Sequence, residues 1–136
     1  MSNYQGWLIK VGNYIIPTDK FIKFNSYSVF ESVADLDSYR DSNGYLHRNA
    51  LAHRSLKVEF ETPPMLTDLD MAVLMANIRA NYVKPAERKA TVTVYNPESD
   101  SYITQDMYMP DITYSIYGNY GGRIHYNAIR LAFIGY

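Results

Sequence analysis

A strand and a helix follow one another in residues 55–85, which read SLKVEFETPPMLTDLDMAVLMANIRANYVKP. Leu56, Val58 and Phe60 alternate with charged residues, a pattern typical of a strand with one face against a core. Prolines at positions 63 and 64 end this strand, because proline has no N–H to donate to a sheet ladder. The start of the stretch therefore predicts a half-buried β-strand.

The rest of the stretch predicts an α-helix over about residues 67–83. Thr67 is a favourable N-cap, and Asp68 and Asp70 place negative charge in the first turn. Pro85 limits the C-terminal end. Apolar residues recur along the helix at spacings of three and four, which predicts one stripe packed against a sheet. The members of this stripe are Met71, Leu74, Met75, Ile78 and Tyr82.

Strand patterns occupy most of the chain on both sides of this helix. Before it, residues 7–11 and 14–16 flank Gly12-Asn13, a typical two-residue hairpin turn. The other strand predictions cover residues 21–24, 27–33, 90–95, 102–109, 112–117 and a long last strand at 123–134, with a β-bulge near Ala128. The predicted fold class is mostly β (α+β). We expect a β-sandwich or open β-barrel of about eight antiparallel strands with one flanking α-helix, in a single domain of residues 1–136.

Residues 34–53 are polar and have few core-forming side chains, which predicts a long loop or hairpin. Asn43-Gly44 is a strong turn signal near its centre. Long connections in compact domains tend to be functional, and arginine and tyrosine are favoured at protein interfaces. We therefore hypothesise that this segment contacts a neighbouring subunit. The candidate interface residues are Arg40, Asp41, Tyr45, His47 and Arg48.

Composition argues against several classes of function. Thirteen basic and fourteen acidic residues give a formal charge of −1, too balanced for a protein that binds nucleic acid by bulk positive charge. The chain has no cysteine, and its three histidines show no metal-ligand spacing. No apolar run approaches the roughly twenty residues that a membrane helix needs. We expect no enzymatic activity, no catalytic residues, no metal, no cofactor, no membrane association and no sequence-specific nucleic-acid binding.

Tyrosine is unusually frequent, with fourteen in 136 residues. Tyrosine favours strands, and it suits interfaces because it combines a flat apolar ring with a polar end. A net charge near zero also favours self-association.

Several segments together resemble the short tail-associated proteins of siphophages. They are WLIKVGNYIIP (7–17), RDSNGYLHR (40–48), SLKVEFETP (55–63), the single helix, ATVTVYNP (90–97) and the tyrosine-rich end. The resemblance implies a virion protein with a tail-tube-like β-sandwich, one helix and a long loop, in the tail tube, the distal ring or the baseplate. It also implies a homo-oligomeric ring, possibly a hexamer, that contacts other phage tail proteins. The resemblance supplies no catalytic residues.

The predicted function is therefore that of a structural subunit of a phage tail or baseplate ring, which assembles through strand edges and the 34–53 segment. Its expected location is the virion, after assembly in the cytoplasm of the bacterial host. Two alternatives remain. The first is a carbohydrate- or host-receptor-binding β-sandwich, in which exposed tyrosines and Trp7 stack on sugars. The second is a component of the head–tail connector.

Overall fold

The computed structural model describes residues 2–32, 39–47 and 55–136. Two α-helices are present in these residues, α1 (Thr18–Phe21) and α2 (Asp68–Ala80), with short 3-10 helices at Phe24–Ser26 and Pro85–Glu87. The strands are β1 (Ile9–Val11), β2 (Tyr14–Ile15), β3 (Ser28–Ser32), β4 (Tyr39–Arg40), β5 (Leu46–His47), β6 (Ser55–Glu61), β7 (Lys89–Asn96), β8 (Ser101–Tyr108), β9 (Ile116–Tyr120), β10 (Arg123–Tyr126) and β11 (Arg130–Gly135).

Seven of these strands form one antiparallel sheet in the order β2-β1-β7-β8-β11-β6-β3. The pairs β9–β10 and β4–β5 form two smaller sheets. The predicted mostly β class with one main helix is confirmed. The seven-stranded sheet runs linearly from β2 to β3, an arrangement that fits the sandwich-like prediction rather than a closed barrel.

The core lies between one face of the large sheet and α2. Buried residues alternate with less buried ones along β6 and β7, so every second side chain points toward the helix. The predicted inward residues Leu56, Val58 and Phe60 are all buried. Because strands distant in sequence share this face, the core joins β1 near the start of the chain to β11 near its end.

Helix α2 begins as its sequence predicts. The backbone N–H of Asp70 donates to Thr67 Oγ1 at 3.2 Å, and the Thr67 N–H donates to the Asp70 carboxylate at 3.2 Å. This capping box satisfies two N–H groups that the first turn leaves without helical partners. Met71, Leu74, Met75 and Ile78 are buried against the sheet, and Tyr82 packs partly buried beside them.

The β1–β2 turn is held against the C-terminal end of α2. Gly12 has a φ of +58°, and the N–H of Asn13 donates to Asn81 Oδ1 at 3.1 Å. A Cβ on Gly12 would lie 2.5 Å from that same oxygen. Glycine at this position therefore serves both the turn and the close approach of the helix.

The prediction of one long last strand at 123–134 is wrong. The chain forms β10 in the small sheet and β11 in the large one, with a break at residues 127–129. At the break the Asn127 N–H donates to the Ser115 carbonyl at 2.9 Å, and the Ile129 N–H donates to Thr62 Oγ1 at 3.0 Å. The register irregularity lies between His125 and Tyr126 rather than near Ala128. The segment is therefore divided by bonds to Ser115, just before β9, and to Thr62, just after β6.

The strand predictions at 21–24 and 112–117 also need correction. The Phe21 N–H donates to the Pro17 carbonyl at 3.0 Å, and this bond closes the turn of α1 where a strand was predicted. Phe24, at the end of the predicted strand, begins the following 3-10 helix (Phe24–Ser26) instead. Further along, β9 begins only at Ile116 and extends through Gly118 to a turn at Gly121-Gly122.

Candidate assembly surfaces

The described part of the predicted 34–53 segment is a hairpin, β4–β5, which we call the arm (residues 39–47). Its tip is held by its own backbone. The Asp41 N–H donates to the Tyr45 carbonyl at 2.9 Å, and the Gly44 N–H donates to the Asp41 carbonyl at 3.0 Å. The Asp41 carboxylate accepts the N–H groups of Asn43 at 3.0 Å and Tyr45 at 3.1 Å. The tip therefore has a defined shape before it meets any partner, which lowers the entropic cost of binding.

Three of the five predicted interface residues lie together at this tip. Tyr45 is 71% exposed, the highest value among the exposed large hydrophobic residues of the described chain. Arg40 and Asp41 act within the arm, since Arg40 Nη1 donates to the Gly44 carbonyl at 3.0 Å and Asp41 closes the turn. The backbone of His47 pairs with Tyr39, and Arg48 lies outside the described residues.

The sequence prediction missed two residues of the arm. Tyr39 is 59% exposed, and Leu46 is also exposed. Both are apolar residues in a polar segment, a signal that was available in the sequence. Together with Tyr45 they give the arm an apolar surface that its own hairpin does not cover.

The two outer strands of the large sheet form a second candidate surface. β2 lies at one end of the sheet and β3 at the other, and they carry the exposed side chains of Ile15 and Phe30. An edge strand presents backbone N–H and C=O groups to which a further strand can add. Because the two ends differ, they suit a head-to-tail contact between copies.

The face of the large sheet opposite α2 carries polar side chains along β7 and β8, and apolar ones, such as Ile15, Phe30 and Ile134, toward the outer strands. Thr93 and Thr104 share a hydrogen bond at 2.8 Å across β7 and β8, and Thr91 Oγ1 donates to the Asp106 carboxylate at 3.1 Å. Charges of both signs lie on this face and pair with one another, as in the ion pair between Arg130 and Glu59. The sheet therefore has one face in the core and one that water can solvate.

An aromatic cluster ties the N-terminal segment to the β7–β8 turn. Trp7 stacks on Tyr102 with ring centroids 4.2 Å apart, and Tyr95 contacts Tyr102 edge-on at 5.4 Å. The Asp100 carboxylate accepts bonds from the Tyr95 hydroxyl at 2.6 Å and the Ser2 hydroxyl at 2.9 Å. These two hydroxyls, with the backbone N–H of Asn3, hold the pKa of Asp100 below its usual value. One face of Trp7, named in the carbohydrate-binding alternative, is thus occupied by Tyr102.

A cleft of about 480 Å3 lies between the end of α2 and residues 109–114. Met75, Tyr82 and Tyr114 line it, and burial raises the pKa of both tyrosines. Arg88 at its rim pairs with Asp111 at 2.8 Å. Within residues 2–32, 39–47 and 55–136, no three His, Asp or Glu side chains are grouped so as to hold a metal ion. Among the same residues, no helix is long and apolar enough to span a membrane.

These features define the class: a β-rich protein with an open sheet, two unlike edges and an exposed hairpin. The chain belongs to a family of unknown function, DUF6711, whose sequence model matches residues 1–136. No curated protein sequence matches the chain.

Among solved structures, the fold is similar to that of a chain in the tail of an empty GTA (gene transfer agent) particle, computed with helical refinement in C6 symmetry. The match covers 100% of this chain and 95% of the other, with a TM-score of 0.53 and 16% sequence identity. The two chains therefore share a fold over all of this chain and nearly all of the other.

Proposed function

We propose that this protein is a structural subunit of the tail of a phage-like particle and assembles there into a ring. The observation that carries the proposal is the fold match over the whole chain to a protein of a GTA tail. A match to only one domain of a larger tail protein would be weaker support for this function, because sheet-and-helix folds serve many functions. Here neither chain has a large part outside the match.

The open sheet and the arm supply the contacts that a ring needs. A cyclic ring uses two different surfaces of each subunit, and β2 and β3 present two different edges. Pairing of β2 with the β3 of a neighbour would remove both edges and continue the sheet around the ring. The exposed Tyr39, Tyr45 and Leu46 of the arm would contact a subunit of the next ring.

The symmetry of the similar structure favours six copies, and its helical refinement favours the tube over the distal ring or the baseplate. Helical averaging requires a part that repeats along the tail. In such a tube the uncovered face of the sheet would line the channel, since the opposite face is buried under α2. This role requires no cofactor and no catalysis. The protein would act in the virion, with its own copies and other tail proteins as partners.

Electron microscopy of the purified protein tests this proposal. We expect rings with six-fold class averages at high protein concentration, and short stacked tubes when the rings are concentrated further. The double variant Tyr45→Ala/Leu46→Ala should remain folded and fail to form stacked tubes. Tyr117→Ala is the matched control, because it removes a tyrosine that is also exposed but lies on β9.

Particles without rotational symmetry at every concentration would contradict the ring. Binding to a glycan array by a protein that stays monomeric would support the carbohydrate-binding alternative instead. Rings that never stack, and that bind a head-side component of a particle, would support the connector alternative.

A further inference from the structure

A groove runs along α2 beside residues 109–115, the connection between β8 and β9. The cleft of about 480 Å3 at the end of α2 shares Met75, Arg79 and Tyr114 with a second cleft of about 310 Å3, so the two form one groove. Along α2 the groove extends from Asp68 to Arg79, about 16 Å at 1.5 Å per residue. This length accommodates about five residues of an extended chain at 3.3 Å per residue.

The floor of the groove is apolar. Met71, Met75 and Met109 line it and are almost fully buried, and Ile112 packs partly buried beside them. Methionine side chains are flexible and polarisable, so they adapt to apolar groups of different shapes. The floor therefore suits apolar side chains of a ligand, which gain free energy when they leave water.

An arginine without an ion-pair partner lies on the helix wall of the groove. Arg79 follows Met75 by four residues on α2, so the two side chains lie on the same side of the helix. Within the described part of the chain, the guanidinium of Arg79 has no ion pair and no hydrogen bond, whereas Arg88 pairs with Asp111. Its charge opposes the rise that burial causes in the pKa of Tyr114, across the groove. The groove therefore carries an uncompensated positive charge that suits a carboxylate.

The opposite wall offers unpaired backbone groups. Among the described residues, the backbone N–H and C=O groups of Ile112, Thr113 and Tyr114 find no hydrogen-bond partner. Thr113 and Tyr114 are exposed, so another chain can reach these groups. A strand that adds to such a segment gains main-chain hydrogen bonds, and its alternate side chains point to the same side. This wall therefore suits an extended ligand better than a helix, whose backbone groups are already paired.

We propose that this groove binds an extended acidic segment of a partner protein, in which apolar residues stand two positions before and after a side-chain carboxylate. The segment pairs with the backbone of residues 112–114, and its carboxylate accepts hydrogen bonds from Arg79. Met75 precedes Arg79 by about 6 Å along the helix, close to the 6.6 Å or so between alternate residues of a strand. An apolar side chain next to the carboxylate on that side of the strand therefore contacts Met75. One subunit forms the whole groove, so this binding does not depend on the proposed ring.

A nuclear magnetic resonance titration of isotope-labelled protein tests the proposal, with the peptide TLTDTLT, blocked at both ends, as the probe. We expect the amide signals of residues 112–114 and the Nε–H signal of Arg79 to shift, while the amide signals of β3 stay in place. The same peptide with asparagine instead of aspartate is the matched control. It should bind about ten-fold more weakly, because a hydrogen bond to a charged group is stronger than one to a neutral group.

A variant of the protein tests the same contact from the other side. Arg79→Gln should bind the aspartate peptide about ten-fold more weakly and change the binding of the asparagine peptide little. Arg79 is exposed, so the variant should keep its urea unfolding midpoint. Lys23→Gln is the matched control, because it removes the same charge from an exposed residue outside the groove. It should bind both peptides as the original protein does.

Three results would overturn the proposal. The first is an aspartate peptide that leaves the signals of residues 112–114 unchanged, and the second is equal binding of the two peptides. The third is a protein that binds neither peptide but whose mass in light scattering falls on Arg79→Gln, since a second copy would then occupy the groove. Rings formed by Arg79→Gln would leave the proposed function standing in each of these cases.

Discussion

The sheet–helix core and the arm are stabilised by different interactions: contacts between distant parts of the chain in the core, and local hydrogen bonds in the arm. In the core, Leu74 of α2 is fully buried against strands from both ends of the chain, so its environment depends on contacts distant in sequence. In the arm, hydrogen bonds within residues 40–45 shape the tip, and the apolar side chains remain exposed. The comparison shows that a defined shape and a covered surface are separate properties. The arm has a defined shape, and its apolar side chains are not covered.

The largest expected effect is in the core. Leu74→Ala should lower the free energy of unfolding by roughly 2–5 kcal/mol, because it removes buried contacts and leaves a cavity. Urea titration measures the loss. Arg79→Ala, an exposed position on the same helix, should change stability by less than about 0.5 kcal/mol. Equal losses from the two variants would mean that α2 is not packed on the sheet.

Two glycines with positive φ give the next comparison. Gly12→Ala should lower stability by roughly 1–3 kcal/mol, because its backbone is left-handed and its Cβ would meet Asn81. Gly44 in the arm also has a positive φ, but a Cβ there has nothing within 4 Å. Gly44→Ala should therefore cost less than Gly12→Ala in urea titration. A larger loss of stability from Gly44→Ala than from Gly12→Ala would mean that the arm unfolds together with the core.

A substitution at the tip of the arm should increase local opening of the arm without unfolding the core. Asp41→Ala removes the carboxylate that accepts the N–H groups of Asn43 and Tyr45. Hydrogen exchange at residues 43–45 should become several-fold faster, because local opening there needs no global unfolding. The amides of β7 should exchange as before. Faster exchange in β7 would argue that the arm and the core form one cooperative unit.

The smallest effect concerns acid stability. The bonds from Tyr95, Ser2 and Asn3 depress the folded-state pKa of Asp100 below its unfolded value. The stability they provide is present above the unfolded pKa and is lost as pH falls through the folded pKa. Asp100→Asn should therefore be less stable than the original protein at neutral pH, with the gap closing as the pH falls through the folded pKa. A constant difference in urea midpoint between the two proteins would contradict this linkage.

Local sequence patterns were sufficient to predict the elements that depend on neighbouring residues or that show a regular apolar periodicity. The alternation of β6, the Thr67 cap and stripe of α2, and the Gly12-Asn13 turn were all predicted, because each depends on spacing within a few residues. The arm was predicted as a loop or hairpin with Arg40, Asp41 and Tyr45 in it. Its role at an interface stays a prediction.

Tertiary structure decided what local patterns leave open. The segment 123–134 has strand-like residues throughout, yet at residues 127–129 its backbone N–H groups donate to Ser115, just before β9, and to Thr62, just after β6, and the strands on either side pair in different sheets. Leu69 and Val73 of α2 are as apolar in sequence as Leu74, but only the fold shows that Leu74 is covered by the sheet and that Leu69 and Val73 are exposed. Periodicity records which residues share a face. Which face is covered, and by what, depends on residues far away in the chain or on another molecule.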